Sequence, residues 1–184
     1  MTQRTPTFHP LTAYGTPAPP WSVQASASRI VNVISFTFRI TGAAEGILLP
    51  MPALMPKRKD GLWQHTCFEA FLSPRGESRY WEINLSPSGD WNAYAFDAYR
   101  VGQRPEARIS GLDAQLEPEG HGALTCRITV SLGDLVAPGT PLDAGLTAVI
   151  ESVTGEKSYW ALAHRAERPD FHRRDSFTLS LDAK

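Results

Sequence analysis

Residues 66–98 read TCFEAFLSPRGESRYWEINLSPSGDWNAYAFDA, and this stretch decides the fold. Three runs rich in aromatic and apolar residues stand out: Thr66 to Leu72, Tyr80 to Leu85 and Trp91 to Ala98. They are parted by Ser73-Pro74-Arg75-Gly76-Glu77 and by Ser86-Pro87-Ser88-Gly89-Asp90. Pro and Gly in such links favour turns over a continued ladder. Consecutive strands joined by links this short predict an antiparallel meander. Alternate side chains of a strand point to opposite faces. If the runs pair in simple register, one face carries Cys67, Glu69 and Phe71 with Tyr80, Glu82 and Asn84, and Asn92, Tyr94 and Phe96 share a face of the third run. Phe68, Ala70 and Leu72 take the other face with Trp81, Ile83 and Leu85, and Trp91 and Asp97 take the other face of the third run.

Toward the N-terminus, Arg29 to Ile40 is dominated by β-branched and aromatic residues and predicts one long strand, turned by Gly42 to Gly46. Ile47-Leu48-Leu49 predicts a short strand before Pro50, Pro52 and Pro56 break the chain. Toward the C-terminus, strands are expected at Arg108 to Leu116, Leu124 to Val130, Leu146 to Ser152, Ser158 to Leu162 and Phe177 to Leu181. Thr154-Gly155-Glu156-Lys157 would close a hairpin, and Ser131 to Leu135 offers the one helical turn. About nine short strands spaced by turns predict an all-β sandwich or barrel. Residues 1–20, ending in Pro17-Ala18-Pro19-Pro20, read as an extended lead-in along a surface or edge, leaving 21–184 as one ligand-binding β-sandwich domain.

Composition narrows the partners. The chain has 184 residues, 42% of them hydrophobic, with fifteen prolines and fourteen glycines, enough length for a core without staples. A net charge of −1 argues against nucleic acid, which needs a basic stripe, and against an anionic membrane surface. There is no apolar run of the roughly 20 residues a membrane span requires. Met1 to Pro10 has no apolar run of the signal-peptide kind, so a cytoplasmic location is expected. Cys67 and Cys126 lack metal or redox spacing and read as free buried thiols, with one disulfide as the alternative.

Glutamate is disfavoured in strands unless solvated or paired, so Glu69 and Glu82 among aromatics invite a functional reading. Such a pair could bond sugar hydroxyls, coordinate a cation, or act as the acid and base of a glycoside-acting enzyme. The plainer alternative is an open sheet face on which they pair with Arg75, Arg79 or Arg100. The segment Lys57 to His65 adds cations, Asp60 and Trp63, whose ring suits stacking on a sugar or plugging a core. His65, His164 and His172 could contribute to a zinc or iron site, although no HxH or HxxxH spacing supports one. Glycine-rich nucleotide loops and a GxSxG elbow are absent. An aromatic face packed on a protein partner, or a homodimer, is the remaining alternative.

The segment Arg58-Lys59-Asp60-Gly61-Leu62-Trp63-Gln64-His65-Thr66-Cys67-Phe68-Glu69, with Tyr80-Trp81-Glu82-Ile83-Asn84-Leu85-Ser86-Pro87-Ser88-Gly89, resembles the DOMON-like proteins of bacteria, relatives of family 9 carbohydrate-binding modules. Ile150-Glu151, Tyr159-Trp160-Ala161-Leu162 and Pro169-Asp170-Phe171-His172 fit the same group, so the resemblance spans about residues 30 to 181. It implies an antiparallel β-sandwich of jelly-roll type with a ligand pocket. Relatives bind sugars between aromatic rings, with charged and amide groups on the hydroxyls. By position the expected ligand-binding residues are Trp63, Glu69, Glu82, Asn84 and Trp91, with Arg58 and His65 at the rim. The resemblance also admits calcium, and haem held by Met and His, for which Met51, Met55, His65, His164 and His172 are the available residues.

Overall fold

The computed structural model describes residues 6–15 and 18–182. Within them the strands in chain order are β1 (His9–Pro10), β2 (Thr12–Ala13), β3 (Trp21–Ile30), β4 (Val33–Gly42), β5 (Cys67–Pro74), β6 (Tyr80–Leu85) and β7 (Trp91–Phe96). They continue as β8 (Arg104–Pro105), β9 (Asp113–Glu119), β10 (Ala123–Ser131), β11 (Leu142–Glu151), β12 (Lys157–Ala161) and β13 (Leu179–Leu181). A five-stranded sheet runs β1-β3-β4-β10-β9, and an eight-stranded sheet runs β2-β12-β11-β5-β6-β7-β8 with β13 also paired to β11. Every pairing between these strands is antiparallel. The fold is an antiparallel β-sandwich.

The alternation of the strands builds its interior. Phe68, Ala70, Leu72, Trp81, Ile83 and Leu85 from one sheet meet Ile34, Phe36, Phe38, Ile40, Cys126 and Ile128 from the other. Each fully buried side chain of this size contributes about 1.5–3 kcal/mol. The opposite face of the eight-stranded sheet is also covered. Phe71, Tyr80, Tyr94, Phe96 and Phe177 form a second apolar cluster there, with Phe171 packed against it. Phe177 lies so close to Gly145 that a β-carbon would stand 2.9 Å from its ring, so the lid over this face requires glycine beneath it. β5, β6 and β7 are therefore buried on both faces along their whole length.

Several expectations need correction. Arg29 to Ile40 is not one strand but the two arms of a hairpin, β3 and β4, turning at Val31 and Asn32. Val31 adopts φ 53°, which a β-branched residue rarely does, and Asn32 anchors the turn by donating to the carbonyls of Gly133 and Val136. Tertiary contacts therefore place a turn where propensity alone reads strand. Ile47 to Leu49 forms one bridge, Ile47 to Ser152, and goes no further before Pro50. Residues 108–112 lie outside a strand, and β9 begins only at Asp113. Ser131 to Leu135 turns without becoming helical.

The lead-in splits between the sheets: β1 edges the smaller and β2 the larger, and Leu11 between them is buried in the core. Residues 1–5 and 16–17 of that segment lie outside the described residues. Cys67 and Cys126 are free and buried. No helix among the described residues is long and apolar enough to cross a membrane.

Candidate functional site

Register brings the polar residues of the covered face together. Glu69 on β5 stands opposite Asn84 on β6 and opposite Thr147 on β11. Glu82 stands opposite Phe71 on one side and Tyr94 on the other, and Asn84 opposite Asn92. Glu69, Glu82 and Asn84 thus share one cross-strand neighbourhood. None meets Arg75, Arg79 or Arg100 in an ion pair. Those guanidinium groups bind Asp143 and Asp182, Glu77, and Asp170 respectively. The open, arginine-paired face is therefore not what the chain builds.

A cavity of about 450 Å³ lies over this neighbourhood. Glu69 and Glu82 form its floor with His172, while Trp63, Phe96, Tyr159 and Phe171 give it aromatic walls. Gln64, Arg100, Gln103 and Lys157 supply further polar groups. Its size falls within the 300–1,000 Å³ typical of small-molecule sites. Trp63 follows Leu62 on a short 3₁₀ turn, Leu62–Gln64, entered through Gly61 in the left-handed conformation. That turn holds the indole edge-on to Tyr94, with centroids 6.0 Å apart, and leaves 38% of Trp63 exposed.

The floor is electrostatically unusual. Burial pushes the Glu69 carboxyl well above the usual carboxylate range, and the neighbouring Glu82 adds to it. Burial likewise raises Glu82 to about 7, against the opposing effects of Asn84 and Arg100. Asn84 donates from Nδ2 to Glu82 Oε1 at 2.8 Å, and Thr147 donates to Glu69 Oε2 at 3.3 Å. Glu69 Oε1 and Asn84 Oδ1 are buried with no hydrogen-bond partner.

His172 is held neutral: burial first, then the Arg100 charge, lower it to about 4. Its Nδ1 lies 2.9 Å from the Tyr80 hydroxyl, which accepts from the Arg100 backbone N–H. The arrangement that satisfies the buried hydroxyl has it donate to Nδ1, which assigns the ring proton to Nε2. Nε2 stands 3.8 Å from Glu82 Oε2. Asp170 clamps this corner, accepting from Arg100, from Tyr99 and from the His172 backbone N–H.

The remaining expected site residues are not brought to the cavity. Trp91 faces the sandwich core at 8% exposure, and Arg58 lies over its ring at 4.4 Å. The Arg58 guanidinium donates to Asn92 Oδ1 and to the carbonyls of Ala93, Glu106 and Ile109, so its donors are spent on structure. His65 pairs with Glu151 at 2.7 Å and does not line the cavity. Asn84 lies beneath the floor, touching Glu82, rather than on the wall.

Residue reading overlooked Arg100, Gln103, Tyr159 and Phe171 as lining groups. The Asp170-Phe171-His172 cluster was the one local sign that the late segment returns to the sheet.

The donor set does not suit a metal or haem. Among the described residues no three His, Cys, Asp or Glu side chains gather as a metal would require. His164 bonds the Thr12 carbonyl, far in role from His172, and Met51 and Met55 are 84% and 83% exposed rather than turned to a histidine.

No family model matches the chain, and no curated protein does. Solved structures do resemble it. A candidate carbohydrate-binding protein from Bacteroides uniformis superposes with a TM-score of 0.71 at 14% identity, over 97% of this chain and 87% of that one. A family 9 carbohydrate-binding module from Caldicellulosiruptor kristjanssonii, in complex with cellotriose, gives 0.58 at 10% identity over 97% and 83%. The same organism's module in complex with glucose gives 0.57 at 10% identity over 97% and 84%. At these identities the likeness is one of fold: the chain has the sandwich of family 9 carbohydrate-binding modules.

Proposed function

We propose that the protein is a non-catalytic binder of a small carbohydrate, held in the cavity over Glu69 and Glu82. The observation that carries this reading is the combination of aromatic walls with a floor of two buried carboxyls, one oxygen of which, Glu69 Oε1, lacks a donor. Trp63, Tyr159 and Phe171 offer flat apolar surfaces, and Glu69, Glu82, Gln64 and Gln103 offer hydrogen-bonding groups. A sugar ring matches that division, with C–H faces for the rings and hydroxyl donors for the acceptors. The fold likeness to modules seen with cellotriose and glucose supports the same ligand class.

Placement of the carboxyls favours binding over hydrolysis. Glycosidase carboxyl groups flank the scissile bond, about 5 Å apart in retaining enzymes and about 6.5–9.5 Å apart in inverting ones. Glu69 and Glu82 instead rise side by side from adjacent strands of one floor, so both would meet a bound sugar from the same side. Calorimetric titration with mono- and disaccharides tests the proposal. Saturable binding that Trp63→Ala weakens is expected, and release of sugar product from any aryl glycoside or disaccharide would overturn the non-catalytic part.

A further inference from the structure

The floor of the cavity asks for more than a hydroxyl. Two buried carboxyls, Glu69 and Glu82, line it, and neither is bonded to a cation. Glu69 Oε1 is buried and unpartnered, and His172 Nε2 stands 3.8 Å from Glu82 Oε2, beyond hydrogen-bond reach. Glu69 and Asn84 are directly opposed in the ladder, and Glu82 is the diagonal neighbour of Glu69. The diagonal relation puts the β-carbons of Glu69 and Glu82 about 7 Å apart, within the reach of one small donor group.

The positive charges nearby are committed or peripheral. Arg100 is held by Asp170 at 2.9 Å, and Lys157 is an exposed residue at the start of β12. Two buried carboxyls therefore share a wall with no cation bonded to either. A buried carboxylate is costly unless paired. A hydroxyl supplies one proton and no charge, whereas an ammonium supplies three N–H donors and the missing charge.

We infer that the floor at Glu69 and Glu82 is a subsite for a primary ammonium group, so that the preferred ligand is an amino sugar with a free amine. The inference rests on the carbohydrate reading of the same cavity and gives it a substrate class. The aromatic walls take the ring, and the amine takes the two carboxyls. In the unliganded protein burial favours the protonated form of both carboxyls. Binding of the cation makes their ionised forms favourable.

The test is calorimetric titration of the full chain at pH 7 with hexosamines, their parent hexoses, their N-acetyl derivatives, and cyclohexylammonium as an amine without a sugar. Charge-assisted bonds to a buried carboxylate predict hexosamine binding at least about tenfold tighter than the parent hexose. Acetylation should abolish that advantage, and Glu82→Gln should bring the ratio toward one. Equal or tighter binding of the parent hexose overturns the ammonium subsite and leaves the carbohydrate reading standing. Cyclohexylammonium binding as tightly as a hexosamine, with hexoses silent, keeps the ammonium subsite and overturns the sugar. Silence from all four classes overturns both. The acetylated ligands probe the unaltered protein, so the comparison does not depend on the folding of the variant.

Discussion

Glu82 is the residue on which burial and charge meet most directly. Its carboxyl rises from an ordinary 4.5 to about 7 because burial disfavours the charged form. The groups facing it are Glu69 on β5, Asn84 on its own strand, Tyr94 on β7, and Arg100 and His172 from the covering segments. A carboxyl whose folded value is raised holds its proton more tightly folded than unfolded. Its contribution is fully present below about 4.5 and is lost as pH rises through about 7. Glu82→Gln keeps the acceptor for Asn84 and removes that penalty. The variant should melt near the wild type at pH 4 and be more stable at pH 8, by on the order of 2 kcal/mol. Melting curves across that range check it, and a pH-independent difference would refute it.

Trp63 gives the complementary case. It is part-exposed and packs edge-on against Tyr94, so Trp63→Ala should leave stability within about 1 kcal/mol while weakening ligand binding by about tenfold or more. Thermal melts and titration separate the two effects. Strand alternation puts Glu82 and Asn84 on one face, and simple register, which the ladder has, adds Glu69. Trp91 is misplaced by the resemblance, not by that reading. Its own alternation sends it to the core, and only the shared motif puts it at the site.

At the scale of elements, the segments beside β7 are held by a short bridge and by polar side chains rather than by long strand ladders. Residues 57–59 run beside β7, with the Trp91 N–H donating to the Lys57 carbonyl and the Lys59 N–H donating to the Trp91 carbonyl. Arg58 then ties this run to Asn92, Ala93, Glu106 and Ile109. Arg58→Ala strands several buried carbonyls and should destabilise the protein by about 2–4 kcal/mol. Lys should rescue little, since it lacks the planar fork. Denaturant titration of both variants checks this.

Glu106 works in the same way. It accepts from Trp81 Nε1 at 3.1 Å, and Arg108 binds both of its oxygens. Glu106→Ala leaves a buried indole N–H unpartnered and should cost about 1–3 kcal/mol. The core strands were legible because their burial pattern is written in alternation. The covering loops were not, since partners such as Arg58 with Ile109, or Asp170 with Arg100, are set by long-range return of the chain.

For the whole molecule, the sandwich follows from local pattern, while the cavity follows from what lies over one sheet. The long Pro-rich and polar segments look like surface punctuation in the sequence. In the fold they become walls, because β5, β6 and β7 are apolar on both faces and neither face can be left in water. The late segment carrying Phe171, His172 and Phe177 closes that second face and leaves the opening over Glu69 and Glu82.

The tryptophans make the central claim directly measurable. Trp81 Nε1 is bonded to Glu106 and Trp160 Nε1 to Ser158, Trp21 and Trp91 belong to the core, and Trp63 alone among the five lines the cavity. In a ¹⁵N-resolved NMR titration at pH 7 with hexosamines and hexoses, the Trp63 indole should shift saturably while the other four hold nearly still. A Trp63 signal that stays fixed at saturating sugar, or a shift centred on another tryptophan, would contradict the assignment of this cavity as the carbohydrate site.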